Sequence, residues 1–316
     1  MFLAIMLIVA QTAVLLAISP FLVGLIRKVK ARLQLRRGAS VLQPYADLAK
    51  LFQKQPLLST TTSWIFTATP YIVFGSTLTA GLLVPTFTSQ TPMNFAGNII
   101  ALVYLLALGT FFLILAGLDT GSVFGGMGSS REAIVASLAE PAMILAIFAI
   151  ALTNGSTNVS TIVHKTALLE GIVTDPSPHL MALAALFIVA LAETGRVPVD
   201  NPATHLELTM IHEAMLLEYS GRYLALLEWA AGLKLAVFLS LIANVFAPWG
   251  IATTVTPSAM GIGLLAYIVK TAALAIFIGV IECMFAKLRL FRVTDLLGVA
   301  FILALLGLLF FYILRS

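Results

Sequence analysis

Residues 192–222, AETGRVPVDNPATHLELTMIHEAMLLEYSGR, connect two strongly apolar segments and carry five of the 14 acidic residues in the chain. Only 10% of all residues are charged, 60% are hydrophobic, and the mean hydropathy is +1.04. Soluble domains usually carry about 25% charged residues, so the composition predicts that this chain has lipid as its solvent. The alternation of apolar segments with charged loops therefore decides the fold.

Eight apolar stretches run along the 316 residues, and most reach the roughly 20 residues that a membrane-spanning helix needs. They do not alternate as barrel strands do, so the sequence predicts an all-α, polytopic membrane protein with eight transmembrane helices. The stretches are 2–26, 64–85, 98–118, 133–152, 179–194, 223–247, 261–282 and 293–314. No room remains for a separate soluble domain, and residues 1–316 are predicted to form a single transmembrane domain.

The basic residues predict the orientation of the bundle. Fourteen of the 18 lysine and arginine residues fall in the four loops 27–63, 119–132, 195–222 and 283–292. A bias of this size predicts that these loops are cytoplasmic and that both termini face outward. The net charge of +4 thus follows membrane topology and does not indicate a nucleic-acid partner.

The first of these loops contains a predicted amphipathic helix, VLQPYADLAKLFQK, at residues 41–54. Pro44 can open this helix at its first turn, after which Tyr45 and Leu48 fall on one face. Such a helix lies on the membrane surface, either as a simple anchor or as the wall of an entrance or docking face. The predicted docking residues are Arg36, Arg37, Tyr45, Asp47 and Lys50.

Six ionisable residues lie in or at the ends of the apolar stretches. A charge at bilayer depth costs about 2.5–3.5 kcal/mol on insertion scales, and such residues usually mark an ion or proton path. The candidates are Glu140, Glu193, Glu228, Lys234, Lys270 and Glu282. The alternative is that buried Glu–Lys pairs only fix helix packing, and Glu228 and Glu282 can instead snorkel from helix ends.

The opening stretch is predicted to continue as a helix from Pro202, with Asp200 or the following asparagine as its cap. In an unbroken helix Glu207 and Glu218, eleven residues apart, would share one face. Such a row of carboxylates can carry protons between the cytoplasmic surface and Glu193.

A metal or redox cofactor in this chain is not predicted. The single cysteine, Cys283, excludes an iron–sulfur cluster held by this chain alone. His205 and His212 lack the spacing of a ligand pair such as HExxH.

Two loop motifs carry a resemblance to a known family. AETGRVPVD at 192–200, with LEL at 206–208 and LEYSG at 217–221, resembles a signature of the complex I subunit 1 family, the membrane subunit at the heel of respiratory complex I. RRGASVLQPYADLAKLFQK at 36–54 resembles its other signature. AGLDTGSVFGGMGSSREA at 116–133 is similar to the branch of group 4 membrane-bound NiFe hydrogenases and formate hydrogenlyases.

This resemblance implies a membrane anchor and ion-coupling subunit of a redox complex in a prokaryotic cytoplasmic membrane. Hydrogenase-like small and large peripheral subunits would hold a 4Fe-4S cluster and the NiFe site, and antiporter-like membrane subunits would receive the proton or Na⁺. The implied coupling-loop residues are Arg196, Asp200, Glu207, Glu213 and Glu218. The implied peripheral-arm loop contains Asp119, Arg131 and Glu132.

Two alternatives stay open. In the first, the chain is the quinone-binding subunit of a complex I-like oxidoreductase, although Ala203 and His205 stand where that family often has carboxylates. In the second, the chain is a passive membrane anchor, and neutralising its membrane charges would leave coupling intact.

Overall fold

The computed structural model describes residues 2–89, 97–167, 176–201, 209–254 and 256–315. Within these ranges the chain forms ten α-helices and a short 3-10 helix, Glu213–Met215. The helices are α1 (Phe2–Leu33), α2 (Gln43–Gln53), α3 (Trp64–Leu83), α4 (Ile99–Asp119), α5 (Val123–Asn154), α6 (Val159–Ala167), α7 (Pro176–Glu193), α8 (Gly221–Phe246), α9 (Pro257–Met284) and α10 (Leu290–Arg315). The predicted all-α fold is confirmed.

Seven of the described helices are long and apolar enough to cross a membrane: α1, α3, α4, α5, α8, α9 and α10. The predicted eighth span corresponds to α7, which is shorter and packs against α5 and α10. The predicted amphipathic helix is α2, whereas α6 was not predicted. The chain is therefore a multi-pass membrane protein with seven long helices and one shorter apolar helix among its described residues.

The four basic loops meet at one end of the bundle, which we call the basic end. Hydrogen bonds join them, from Ser63 N to Asp119 Oδ2, from Leu57 N to Ser220 Oγ and from Leu288 N to Pro198 O. The second loop is shorter than predicted because α5 already begins at Val123, so Arg131 and Glu132 lie within a helix. The opposite end, which we call the far end, contains residues 84–89, 155–158 and 247–254.

Pro20 interrupts the hydrogen bonds of α1, because it has no N–H for the carbonyl of Leu16 four residues earlier. Trp229 Nε1 of α8 donates to this carbonyl at 3.3 Å, and Tyr45 Oη of α2 donates to the neighbouring carbonyl of Ala17. The packing of α2 and α8 against α1 therefore compensates for the proline.

Small side chains allow α5, α7 and α10 to approach one another closely. Ala139 and Ala142 of α5 are fully buried, as are Ala182 of α7 and Ala300 of α10. Association of helices in lipid depends on such close packing. Glu132 and Glu140 therefore lie on a helix that is packed closely against its neighbours.

The chain between α7 and α8 folds back into the basic end. Gly195 has a φ of 58°, and Arg196 N donates to Leu191 O at 2.8 Å, which closes α7 with a Schellman motif. Residues 209–216 are then largely buried, with Met215 packed against Leu113 and Leu227. We call residues 194–201 and 209–220 the re-entrant loop. Irregular backbone at membrane depth is tolerated where protein buries it or where it lines a cavity.

The unbroken helix predicted from Pro202 to Glu218 is wrong for the residues that the structure describes. Residues 209–218 form turns around the short 3-10 helix instead. The physical reason is Asp200, whose Oδ2 accepts the backbone N–H groups of Ile211 and His212, both at 3.1 Å. Glu207 lies outside the described residues.

Candidate ion-coupling site

Glu193 and Lys234 form an ion pair inside the bundle. Lys234 Nζ lies 2.6 Å from Glu193 Oε2, and both side chains are largely buried. Lys234 also donates to Thr110 Oγ1 at 3.0 Å. Because α7 is short, its last residue meets α8 about 20 Å from the start of that helix. The charge pair therefore lies well within the bundle.

Glu282 of α9 lies in a second ion-pair group nearer the basic end. Its side chain is fully buried, with Lys30 Nζ at 2.6 Å from Oε2 and Arg196 Nη1 at 3.3 Å from Oε1. The alternative that Glu282 snorkels into water is wrong, because both carboxylate oxygens face cations. The turn at the end of α7 is what directs Arg196 towards α9.

Asp200 ties the re-entrant loop to the loop between α9 and α10. Its Oδ1 lies 2.6 Å from Lys287 Nζ, and Lys287 also donates to the carbonyl of Thr209. The same carboxylate accepts the two loop amide groups described above, so one side chain joins three segments. Arg131 of α5 adds a further link by donating to Met210 O at 2.9 Å.

Glu132 and Glu140 lie on α5 near the Glu193–Lys234 pair. Glu132 is 5% exposed, and Glu140 is partly buried. Among the described residues neither carboxylate has a hydrogen bond or an ion pair, although both interact electrostatically with Lys234 and Glu193. Glu132 was predicted in a peripheral loop, and its burial inside α5 brings it into the charged interior instead.

A cavity of about 580 Å³ opens at the basic end between α1, α2, α8 and the re-entrant loop. Ligand and substrate cavities commonly have volumes of about 300–1,000 Å³. The charged residues of its lining are Arg27, Lys30, Arg36, Arg37, Asp47, Arg196, Asp200, Glu213 and Glu228. Both cations and carboxylates therefore line this cavity, which we call the vestibule. Lys50 is exposed and does not line it.

His212 stands between this vestibule and a second, smaller cavity. It lines both spaces, and the smaller one, of about 20 Å³, is also lined by Thr110 and Lys234. A space of roughly this volume can hold one water molecule. Desolvation lowers the pKa of His212 below its ordinary value, and Lys234 lowers it further. The lowered pKa favours the neutral imidazole, which can both donate and accept a hydrogen bond.

Glu213 follows His212 in the chain and lines the vestibule, outside the membrane-spanning helices. Burial raises the pKa of Glu213 above its ordinary value, His212 opposes this rise, and the nearby carboxylates of Glu228 and Asp200 add to it. Glu213 therefore retains a proton to higher pH than an exposed carboxyl group. Sequence reasoning weighed His212 only as a metal ligand, and its place beside Lys234 follows from a tertiary turn that no local pattern encodes.

The structure does not bring every predicted residue into this site. Lys270 lies on α9 and donates to Asn244 Oδ1 and to Ala247 O, at 2.8 and 2.9 Å, towards the far end. Glu218 is exposed, and Asp119 Oδ2 accepts from the backbone N–H of Ser63, the N-cap residue of α3. The prediction that this chain holds no metal stays a prediction, since His205 lies outside the described residues.

The chain is thus a multi-pass membrane protein with buried ion pairs beside a charged cavity. Comparison with known proteins identifies its family. The family described as NADH dehydrogenase matches residues 4–313, and the chain belongs to that family, as the resemblance to complex I subunit 1 predicts.

Two relatives from Escherichia coli strain K12 support the hydrogenase branch. Formate hydrogenlyase subunit 4 is 37% identical over 283 residues, which cover 89% of this chain and 90% of the relative. Hydrogenase-4 component C is 34% identical over 301 residues, covering 95% and 94%. The fold is shared with a chain of the membrane-bound sulfane sulfur reductase, an archaeal respiratory membrane complex, at a TM-score of 0.80, 22% identity and 97% coverage of each chain.

Proposed function

We propose that this chain is the membrane anchor and ion-coupling subunit of an energy-converting redox complex of membrane-bound hydrogenase or formate hydrogenlyase type. It links electron transfer in a peripheral arm to movement of protons or Na⁺. The observation that carries the proposal is the buried Glu193–Lys234 pair, near two carboxylates that have no hydrogen bond or ion pair among the described residues. The similarity to the two Escherichia coli subunits supports the type of complex.

The ion pair is suited to act as a switch. Removing one partner of a buried pair costs about 3–5 kcal/mol, because the remaining charge is left without compensation. A proton delivered to Glu193 neutralises the carboxylate and frees Lys234 to turn towards Glu132 or Glu140. When Glu193 then passes this proton to an acceptor in the neighbouring membrane subunit, the ionised carboxylate attracts Lys234 back, so one proton enters and one leaves in each cycle.

The proposed route begins in the vestibule, where Glu213 and Glu228 can collect protons from the cytoplasm. His212 and one water in the small cavity would supply a proton to Lys234 as its ammonium group passes one to Glu193. The peripheral arm would act on this route through the re-entrant loop, since Asp200 controls the turn that contains His212. Such coupling needs two loop arrangements that differ by only a few kcal/mol.

The proposed partners are the subunits that would meet the two ends of this proton route. Hydrogenase-like small and large subunits would dock on the basic end and supply the redox chemistry, and antiporter-like membrane subunits would receive the charge near α5. The basic end would face the cytoplasm of a prokaryotic cell, with both termini outward, because Lys and Arg concentrate there.

A neutral double variant tests the proposal. Glu193→Gln with Lys234→Met removes both charges together and leaves no buried ion unpaired. We expect the assembled complex in proteoliposomes to keep redox turnover but to lose most turnover-driven ion uptake. Glu218→Gln, which removes an exposed carboxylate, is the matched control. Full uptake by the double variant would support the passive-anchor alternative.

The quinone-binding alternative can also be tested. The vestibule has a volume of about 580 Å³, which would admit a quinone head group. The mixed charges of its walls favour water and ions over an apolar ring. We expect quinone-site inhibitors to leave turnover of the complex unchanged, and inhibition competitive with added quinone would favour the alternative.

A further inference from the structure

A second irregular segment is buried at the far end of the bundle. Residues 84–89, VPTFTS, link α3 to the chain before α4, and each of the six is buried. Phe87 is 4% exposed and packs in the same cluster as Leu235 and Tyr267. On α9, a Cβ at Gly263 would lie 2.3 Å from Phe87 O, so only glycine admits the segment this closely. We call residues 84–89 the closing segment.

Neutral donors bind five of the six carbonyl groups of the closing segment. Side-chain amides supply three of these bonds, from Gln11 to Val84 O at 2.8 Å and from Asn244 to Pro85 O and Thr86 O, both at 2.7 Å. Ala252 N donates to Phe87 O at 3.1 Å, and Ser160 Oγ donates to Ser89 O. An unpaired buried carbonyl is costly, so the segment is held as one unit by α1, α6, α8 and the chain after α8.

Lys270 determines which way the amide of Asn244 points. A lysine ammonium has three donors and no acceptor, so the group of Asn244 that faces it must be the oxygen. That oxygen accepts from Lys270 Nζ at 2.8 Å, and the amide nitrogen is then directed at Pro85 and Thr86. Lys270 Nζ also donates to Ala247 O at the end of α8, where a cation is favoured by the helix dipole.

We infer that the closing segment seals the far end of this chain against ions, and that Lys270 is a positioning residue of this seal. The donors that hold these carbonyl groups are side-chain amides, a hydroxyl and a backbone N–H, none of which ionises at physiological pH. Charge that reaches the Glu193–Lys234 pair must therefore leave sideways into a partner subunit. The inference goes beyond the proposed function, because a seal is tested in the absence of turnover.

The test is passive ion leak through the whole complex in proteoliposomes, measured with an imposed pH gradient and no redox substrate. In Asn244→Ala and Lys270→Gln we expect leak to rise about tenfold or more, since each loses at least one hydrogen bond that holds the closed arrangement. Lys270→Arg retains a cationic donor and should restore most of the tightness.

The matched control is Lys165→Gln at the same end. Lys165 Nζ also donates to a carbonyl at a helix end, that of Asn154 at 2.8 Å, but it does not contact the closing segment. We expect wild-type leak in this variant. Unchanged leak in assembled Asn244→Ala and Lys270→Gln would overturn the inference. So would a Lys270→Gln complex that stays tight but loses turnover-driven uptake, because Lys270 would then be part of the ion path.

Hydrogen exchange on the wild-type complex decides the matter if both variants fail to assemble. The amides of Ser89 and Ala252 hydrogen-bond to Ala252 O and Phe87 O, and a sealed end requires them to exchange as slowly as the amides of the core helices. Exchange as fast as that of exposed loops would contradict the seal. In the wild-type complex, a leaky far end would contradict the seal but not the proposed ion route. Absence of coupled uptake without a leak would contradict the proposed ion route but not the seal.

Discussion

Two irregular segments lie inside opposite ends of this bundle, and they are held by different chemistry. The re-entrant loop at the basic end is held largely by ion pairs, such as those of Arg196 with Glu282 and Asp200 with Lys287. The closing segment at the far end is held by the neutral amides of Gln11 and Asn244. The re-entrant loop borders a cavity of about 580 Å³, whereas the closing segment packs against the surrounding helices.

This difference indicates which end can change during turnover. An ion pair changes its energy by several kcal/mol when one partner gains or loses a proton, so a charged loop can have two arrangements. A hydrogen bond from a neutral amide to a carbonyl has no partner that gains or loses a proton, so it keeps one arrangement. We therefore expect the basic end to move with each redox cycle while the far end stays closed.

The largest effect is expected from breaking the inner ion pair on one side only. Glu193→Gln leaves the Lys234 ammonium buried without its carboxylate, which should destabilise the complex by about 3–5 kcal/mol. Thermal unfolding of the purified complex measures this, and the neutral double variant with Lys234→Met should recover most of the loss. Equal stability of the single and double variants would show that the pair is not desolvated.

A smaller effect is expected from loosening the re-entrant loop. Asp200→Asn removes the ion pair with Lys287 and weakens the acceptor of two loop amides. Loss of one charged hydrogen bond costs about 1.5–3 kcal/mol, so the amides of Ile211 and His212 should exchange with solvent about ten- to a hundredfold faster. Hydrogen exchange on the intact complex measures this, and the amide of Ser89 at the far end serves as the internal control. Equal acceleration at both ends would contradict independent segments.

A pH effect is expected from Glu213. Burial raises its pKa, so its protonated form persists above the ordinary value of 4.5 and is lost as pH rises through the shifted value. If this proton feeds the route, coupled uptake should fall with rising pH through that range in the wild type. Glu213→Gln cannot titrate, and its uptake should lose this pH-dependent limb. A profile with the same limb in the variant would remove Glu213 from the route.

The smallest effect is expected at Glu218, the exposed carboxylate of the same loop. It has no hydrogen bond or ion pair to the described residues, and substitutions at such surface positions change free energies by about 0.5 kcal/mol or less. Uptake and turnover of Glu218→Gln should therefore stay within about twofold of the wild type. A large loss would indicate that Glu218 contacts a partner subunit that depends on its charge.

Periodicity and charge predicted the architecture well, because lipid imposes long apolar helices and basic loops on one side. The same signals did not predict the re-entrant loop. A local pattern suggested a helix through Glu218, and the turn that replaces it depends on Asp200, a residue brought there by tertiary contacts. The short fifth apolar stretch was the one visible sign that α7 stops deep in the bundle.

The candidate site was predicted in composition but not in arrangement. Glu193, Lys234 and Glu282 were singled out because charges at membrane depth are costly, yet their pairing across α1, α7, α8 and α9 cannot be read from spacing along one chain. Lys270 looked equivalent to Lys234 in sequence. Its neighbours are neutral oxygens, and only the packing of α8 on α9 distinguishes the two lysines.

Infrared difference spectroscopy of the working complex tests most directly whether Glu193 changes protonation during turnover. We expect a protonated-carboxyl band that appears on reduction, shifts in heavy water, and is absent in the Glu193→Gln and Lys234→Met double variant. The band should persist in Glu218→Gln, which removes an exposed carboxylate from the same end. An unchanged band in the double variant would contradict the role of Glu193 as the charge-carrying switch.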